Sequence, residues 1–167
     1  MDELRKMLAD IRGGDRKAFE ALYDSLKTPL FTIILRITHD KSLSEDILQE
    51  VFLKLYLLPP EPSVNPRAYI CQMARNLAVD SVRKRKPTAH LEEAESYLCH
   101  PVENLAQKMD IEDALLALPD RERQIVTLHI NGELKFREVA DILSLPLGTV
   151  LWAYRKAIKQ LRNTLEV

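Results

Sequence analysis

Three groups of side chains have the types and spacing to do chemistry. Asp46, Gln49, Glu50 and Leu53 recur at i, i+3, i+4 and i+7, so a helix would bring them onto one strip. A lone leucine among acids and an amide can anchor a protein partner while the charges orient it; a solvated face with one stray leucine is the plainer reading. Tyr69, Gln72, Asn76, Asp80 and Arg83 form a second strip, followed by Lys84, Arg85 and Lys86. An aromatic ring stacks on an unpaired base, amides bond its exposed edge, and cations hold phosphates; a basic helix end favoured by the helix dipole accounts equally well for the charge. The third group, Thr149, Trp152, Arg155, Lys156 and Lys159, faces outward from a C-terminal helix whose other side is apolar.

Other chemistries find little support. His39, His90, His100 and His129 lack metal-ligand or catalytic-triad spacing, and the four glycines form no phosphate-binding loop. Cys99 beside His100 has no second ligand pair. The expectation is therefore a non-enzyme with no metal and no cofactor. Two cysteines fit a reducing compartment, and without an apolar leader or a long apolar run the chain is expected to remain cytoplasmic, with no membrane insertion.

Helical elements must position these groups. Asp15 can cap a segment with Phe19, Leu22, Leu26, Ile33 and Ile37 at helical intervals, which Pro29 is expected to kink or divide. Ser42 and Glu45 have the form of a capping box opening a helix to about Leu58, where Pro59, Pro60 and Pro62 end it. Its apolar arc is Ile47, Leu48, Val51, Phe52 and Leu55. Asn65 then Pro66 is a cap-and-first-turn signal for a helix running through Arg83 to Lys86, with Ile70, Met73, Ala74, Leu77 and Ser81 inward. Later segments at about 110–117, 120–131 and 134–143 precede a final helix at about 147–165, on which Leu147, Val150, Tyr154, Ala157, Ile158, Leu161 and Leu165 share a side. The short turn between Leu143 and Leu147 gives a helix-turn-helix.

Charge divides the chain. The net charge of −1 hides 6 basic and 1 acidic residues over 67–86, followed by 1 basic and 5 acidic over 87–110. The basic block suits a polyanion, and the acidic stretch reads as a linker with a short helical piece. The expected architecture is all-α: two small helical domains, 1–87 and 110–167, joined by a flexible acidic linker at 88–109, the second domain containing the helix-turn-helix.

The stretches SEDILQEVFLKLY, NPRAYICQMARNLAVDSVRKRK and LPDRERQIVTLHINGELKFREVADILSLPLGTV together resemble the extracytoplasmic-function (ECF) group of bacterial sigma factors, in register over most of residues 18 to 162. The resemblance implies an alternative sigma factor that binds core RNA polymerase and directs it to promoter DNA, double- and single-stranded, commonly under an anti-sigma protein. It implies that Asp46, Gln49, Glu50 and Leu53 dock on the polymerase clamp helices. Tyr69, Gln72, Asn76, Asp80, Arg83, Lys84, Arg85 and Lys86, with the loop from Leu57 to Asn65, would hold the minus-ten element. Thr149, Trp152, Arg155, Lys156 and Lys159 would meet the minus-thirty-five element. A sigma-like regulator that does not itself support initiation, and a plain helical adaptor, are the rival readings.

Two departures bear on these roles. After Gly148-Thr149-Val150 the family usually carries a basic residue, serine and arginine, where this chain has Leu151, Trp152 and Ala153. That removes charge and hydrogen-bond donors at the point of base readout, leaving an indole to read by shape and apolar contact, to anchor a regulatory protein, or to pack against a neighbouring helix. The first domain also lacks the tryptophan many members carry near the melting surface; Tyr56 and Tyr69 are the nearby aromatics.

Overall fold

The structure is a computed structural model, and it describes residues 2–61, 65–85 and 105–166. Among the described residues there are eight helices and no strand, and the chain divides into two compact units, 1–85 and 86–167. Of the expected linker at 88–109, residues 88–104 lie outside the described residues and 105–109 are helical.

In the first unit, α1 spans Asp2–Arg12, α2 Arg16–Thr38, α3 Lys41–Leu57 and α4 Pro66–Arg85. The sequence reading did not anticipate α1. Gly14, at φ +91°, takes the left-handed conformation that breaks the chain between α1 and α2. Asp15 then caps α2, its Oδ1 accepting from Lys17 N at 2.9 Å and Ala18 N at 3.3 Å. Pro29 does not divide α2, which continues unbroken to Thr38. Leu22, Leu26, Leu30, Ile33 and Ile34 are buried along it, facing α1, α3 and α4, while Phe19 and Ile37 are half-buried at the margin. Each full burial stabilises by about 1.5–3 kcal/mol, so this central helix carries much of the unit's cohesion.

The α2–α3 joint is two residues long. His39 adopts φ 54°, and Asp40 is the N-cap of α3, its Oδ1 accepting from Leu43 N at 2.9 Å. This corrects the expected Ser42 cap: Ser42 lies inside the helix. Below the joint, the buried Ser44 hydroxyl donates to Asp40 O at 2.6 Å and meets Thr38 Oγ1 at 2.6 Å, so its burial leaves no hydroxyl unsatisfied. At the start of α4, Asn65 Oδ1 accepts from Ala68 N at 3.4 Å, as the Asn-Pro signal requires.

In the second unit, α5 spans Leu105–Leu116, α6 Asp120–Ile130, α7 Phe136–Leu143 and α8 Leu147–Leu165. α5 thus begins five residues before the expected position. Leu115, Leu118, Val126 and Ala157 form a buried cluster, with Tyr154 and Leu161 packed on it. Beside it, His129 stacks on Phe136 with ring centroids 4.0 Å apart, Tyr154 meets both edge-on, and His129 Nδ1 lies 2.7 Å from Leu134 O. The α7–α8 turn uses Ser144 at φ 54°, with Leu145 N donating to Ala140 O at 3.0 Å, a left-handed helix stop that re-aims the chain into α8. α6, α7 and α8 pack together, which is the helix-turn-helix layout with a supporting helix.

Part of the expected inward side of α8 is kept: Val150 and Ala157 are buried, and Tyr154 and Leu161 pack on the core cluster. Ala153 is buried as well, whereas Leu147 and Leu165 are exposed. Ala153, outside the expected arc, lets the helix approach its neighbours closely and shifts the contact arc toward it. α4 shows the same effect: Ile70, Cys71, Ala74 and Ala78 are buried, while Met73, Leu77 and Ser81 sit half-buried at the rim.

Candidate polymerase and nucleic-acid interfaces

The α3 strip is outward. Asp46, Gln49, Glu50 and Leu53 are all exposed, Leu53 at 56%, because Ile47, Val51, Phe52 and Leu55 take the inward arc. Glu50 Oε1 is 3.5 Å from Lys54 Nζ, a half-exposed helical pair of small energetic weight. The structure also adds residues the sequence reading did not connect to this strip. Gln49 and Leu53 line a groove whose other side is aromatic: Phe19 and Tyr23 from α2, Phe52 and Tyr56 from α3. Phe19 lies 5.1 Å from Tyr56 and Tyr23 4.7 Å from Phe52, centroid to centroid. Leu53 is therefore the edge of an apolar surface. The available signal was i, i+4 spacing of aromatics on both helices, Phe19 with Tyr23 and Phe52 with Tyr56.

The α4 strip lines a second groove. Tyr69, Gln72, Asn76 and Asp80 form one wall, with Met73 and Leu77 at its base, and Lys54 and Leu58 from the end of α3 close the other side. Tyr69 is 37% exposed, enough to offer a ring face or edge while its remainder packs. Arg75 Nη1 donates to Asn76 Oδ1 at 3.4 Å, which leaves the amide NH2 of Asn76 directed elsewhere. The Arg75 guanidinium is held below its ordinary pKa by burial and then by the charge of Arg83, and it stays cationic at neutral pH. Lys54, the wall residue, is the one whose ammonium meets Glu50, so the α4 groove borders the α3 strip through this ion pair.

The basic end of α4 is not uniform. Arg83 and Lys84 are exposed, whereas Arg85 Nη1 lies 2.6 Å from Asp40 Oδ2, tying the end of α4 to the start of α3. Lys86 lies outside the described residues, as do Ser63 and its neighbours 62 and 64 in the expected minus-ten loop. The described part of that loop is anchored by α1: the Arg12 guanidinium donates to Pro59 O at 3.2 Å and to Pro60 O, and approaches Glu61 at 3.8 Å. Arg12 is a loop-positioning residue that spacing alone did not suggest.

On α8, Trp152, Arg155, Lys156 and Lys159 are exposed and Thr149 is half-buried. Trp152 is the chain's single tryptophan and is 63% exposed, so it is not packed against a helix of its own unit. Lys156 Nζ lies 5.2 Å from the indole centroid and 3.3 Å from Glu122 Oε1 on α6.

Among the described residues no three metal-ligating side chains cluster, and no helix is long and apolar enough to cross a membrane.

The first unit matches the family model for sigma-70 region 2 over residues 22–88, and the second matches sigma-70 region 4 over 114–163. Among curated relatives, the ECF RNA polymerase sigma factor SigW of Bacillus subtilis is 27% identical over 180 aligned residues, covering 97% of this chain and 96% of SigW. ECF RNA polymerase sigma factor SigK of Mycobacterium ulcerans is 28% identical, covering 99% of this chain and 95% of SigK. Among solved structures, the sigma factor RpoE of Bartonella quintana, in complex with the anti-sigma factor NepR, aligns with TM-score 0.74 at 21% identity over 90% of this chain and 98% of RpoE. CnrH, in complex with the cytosolic domain of CnrY, aligns with TM-score 0.71 at 17% identity over 98% of this chain and 97% of CnrH.

Fold and matched regions together define the class: an all-α transcription regulator of the sigma-70 type, with regions 2 and 4. Within that class, the chain belongs to the ECF group of sigma factors.

Proposed function

We propose that the protein is an alternative sigma factor that binds core RNA polymerase and directs promoter-specific transcription initiation. The observation that carries the detailed reading is the pairing on adjacent helices of the first unit. α3 keeps Asp46, Gln49, Glu50 and Leu53 outside beside an aromatic groove, and α4 keeps Tyr69, Gln72, Asn76 and Asp80 outside beside another.

The α3 groove suits a protein helix: an apolar floor desolvates a partner's side chains while Asp46 and Glu50 select basic residues at the rim. The α4 groove suits unstacked bases. Tyr69 supplies a stacking surface, Gln72 and Asn76 supply donors and acceptors for edges that pairing hides, and Arg83 and Lys84 meet the backbone. On this reading α8 of the second unit enters the major groove of the upstream element. In this scheme residues 1–87 bind polymerase and minus-ten, 88–109 link, with α5 beginning at Leu105 inside that stretch, and 110–167 bind minus-thirty-five. An anti-sigma protein, such as the NepR seen with RpoE, is the proposed regulator.

Transcription in vitro with purified core polymerase tests the reading. Discrete starts on genomic fragments, dependent on the added protein, are expected. Polymerase binding without initiation would instead favour the regulator that lacks initiation activity, a reading that the altered residues Leu151 and Trp152 bring into view.

A further inference from the structure

Gly148, Trp152, Arg155 and Lys159 follow one another at i, i+4, i+7 and i+11, and all four are exposed on the side of α8 opposite Val150, Ala153 and Ala157. No acidic residue interrupts this stripe. Trp152 is the sixth residue of α8, within the N-terminal turns with which a recognition helix meets base edges.

Lys156 is set apart from that stripe. Its ammonium lies between the Trp152 ring, 5.2 Å from the centroid, and the Glu122 carboxylate, 3.3 Å away. Glu122 is only 7% exposed, so the carboxylate is a fixed point on α6 rather than a wandering surface charge. The ion pair holds the lysine over the indole, and the cation–π contact holds the indole in turn. A neutralised, anchored lysine contributes little to phosphate binding, whereas an indole with restricted motion is pre-organised for contact.

We propose that Trp152 is the specificity-determining residue for the upstream element, that it recognises thymine methyl groups in the major groove, and that Lys156, held by Glu122, is the positioning residue that presents it. This rests on the reading of the second unit as the upstream-element binder. An indole offers a broad apolar surface, and the thymine methyl is the apolar feature of the major-groove edge. Arg155 and Lys159 supply the flanking charge for phosphates. The surroundings favour DNA over a protein partner. Trp152 is an isolated apolar group in a basic stripe, with Leu151 half-buried, whereas protein hot spots sit within a desolvated apolar patch.

The test uses the full-length protein assembled with core polymerase on a promoter recovered from a library randomised in its upstream element. Each upstream thymine is replaced singly by deoxyuracil, which removes the methyl and nothing else. Binding of the wild-type holoenzyme is expected to weaken about three- to five-fold at one or two positions, the scale of one buried methyl. Trp152→Ala erases the thymine–uracil difference. Lys156→Met shrinks that difference while leaving the salt slope of binding in place, and Lys159→Met lowers the slope by about one without touching the difference. Equal binding of thymine and uracil promoters by wild type overturns the proposal, as does a difference that survives in Trp152→Ala. If Trp152→Ala instead abolishes capture of a regulatory protein with promoter discrimination intact, the indole is a protein anchor and the proposal also falls. Wild-type holoenzyme on a premelted minus-ten template lacking the upstream element separates the two levels. Binding there, together with equal binding of the thymine and uracil forms of the full promoter, defeats this inference alone; failure to form holoenzyme defeats the parent reading with it.

Discussion

Arg85 Nη1 sits 2.6 Å from Asp40 Oδ2, joining the last residue of α4 to the N-cap of α3 across 45 positions of sequence. Asp40 is thus bonded on both oxygens, Oδ1 by Leu43 N and Oδ2 by Arg85. Its pKa is lowered from 3.8, chiefly by the Leu43 N–H; burial pulls it back up, and the hydrogen bond and charge of Arg85 lower it further. A depressed carboxylate contributes stability that is present above its unfolded pKa and lost as pH falls through the folded one.

The expected outcome is acid sensitivity below about pH 4, set by that unfolded pKa. In urea unfolding followed by circular dichroism, Asp40→Asn keeps a capping side chain but flattens this part of the stability–pH curve. Asp40→Ala removes the cap as well and costs roughly 0.5–2 kcal/mol at neutral pH. An unchanged acid limb in Asp40→Asn would show that the bonds to Asp40 do not set it.

Much of the fold was legible locally, and the exceptions share a cause. Asp15 before α2 and Asn65-Pro66 before α4 are short-range signals, satisfied by neighbours two or three residues away, and the Ser-Leu-Pro break marks the start of α8 at Leu147. Asp40 and Ser42 are both acceptable caps by type, and the choice of Asp40 is reinforced by Arg85, a distant partner invisible to spacing. The rotated arcs of α4 and α8 have the same origin. Periodicity weights large apolar residues such as Leu147 and Met73, whereas close packing selects Ala153 and Ala78. The outward strips were readable because each lies on one helix. Their opposite walls, Phe19 and Tyr23 for one and Lys54 and Leu58 for the other, come from neighbouring elements, and only the packing of α2, α3 and α4 brings them there.

Leu53 combines exposure with contact to the aromatic groove, so truncating it removes partner surface without opening a cavity. Leu53→Ala is expected to weaken binding to core polymerase roughly five- to thirty-fold, the range of an interface anchor. Its thermal stability should stay within about 0.5 kcal/mol of wild type. Competition against a reference sigma factor for core enzyme measures the first quantity, and an undiminished share of core would remove Leu53 from the interface.

Tyr69 lies in the α4 groove with Gln72 and Asn76, and its stacking role has a characteristic size. Tyr69→Ala should lose about 1–3 kcal/mol of affinity for a single-stranded minus-ten oligonucleotide presented to holoenzyme, while Tyr69→Phe retains most of it. Equal losses in both variants would assign the contribution to the phenolic hydroxyl instead of the ring. Asn76→Ala serves as the comparison for edge recognition: its loss should depend on which base is offered, because a hydrogen-bonding amide discriminates and a stacking ring largely does not.

Arg12 offers the sharpest separation between the two grooves of the first unit. Its guanidinium reaches from α1 to the Pro59 and Pro60 carbonyls, holding the chain as it leaves α3, and it touches neither the α3 strip nor the α4 wall. Pro59 and Pro60 lack N–H groups and can only accept hydrogen bonds, and the Arg12 guanidinium supplies donors to both carbonyls. Arg12→Met keeps the aliphatic stem and removes the donors, at a cost of about 1 kcal/mol for the lost hydrogen bonding. The segment it releases leads into the expected minus-ten loop and adjoins Leu58, a wall of the base groove. Binding of the single-stranded minus-ten oligonucleotide should therefore fall several-fold, and the affinity for core polymerase, proposed to rest on Asp46, Gln49, Glu50 and Leu53, should hold. A parallel loss of both would mean that Arg12 supports the whole unit, and fluorescence titration of the two ligands against the same variant preparation distinguishes these outcomes directly.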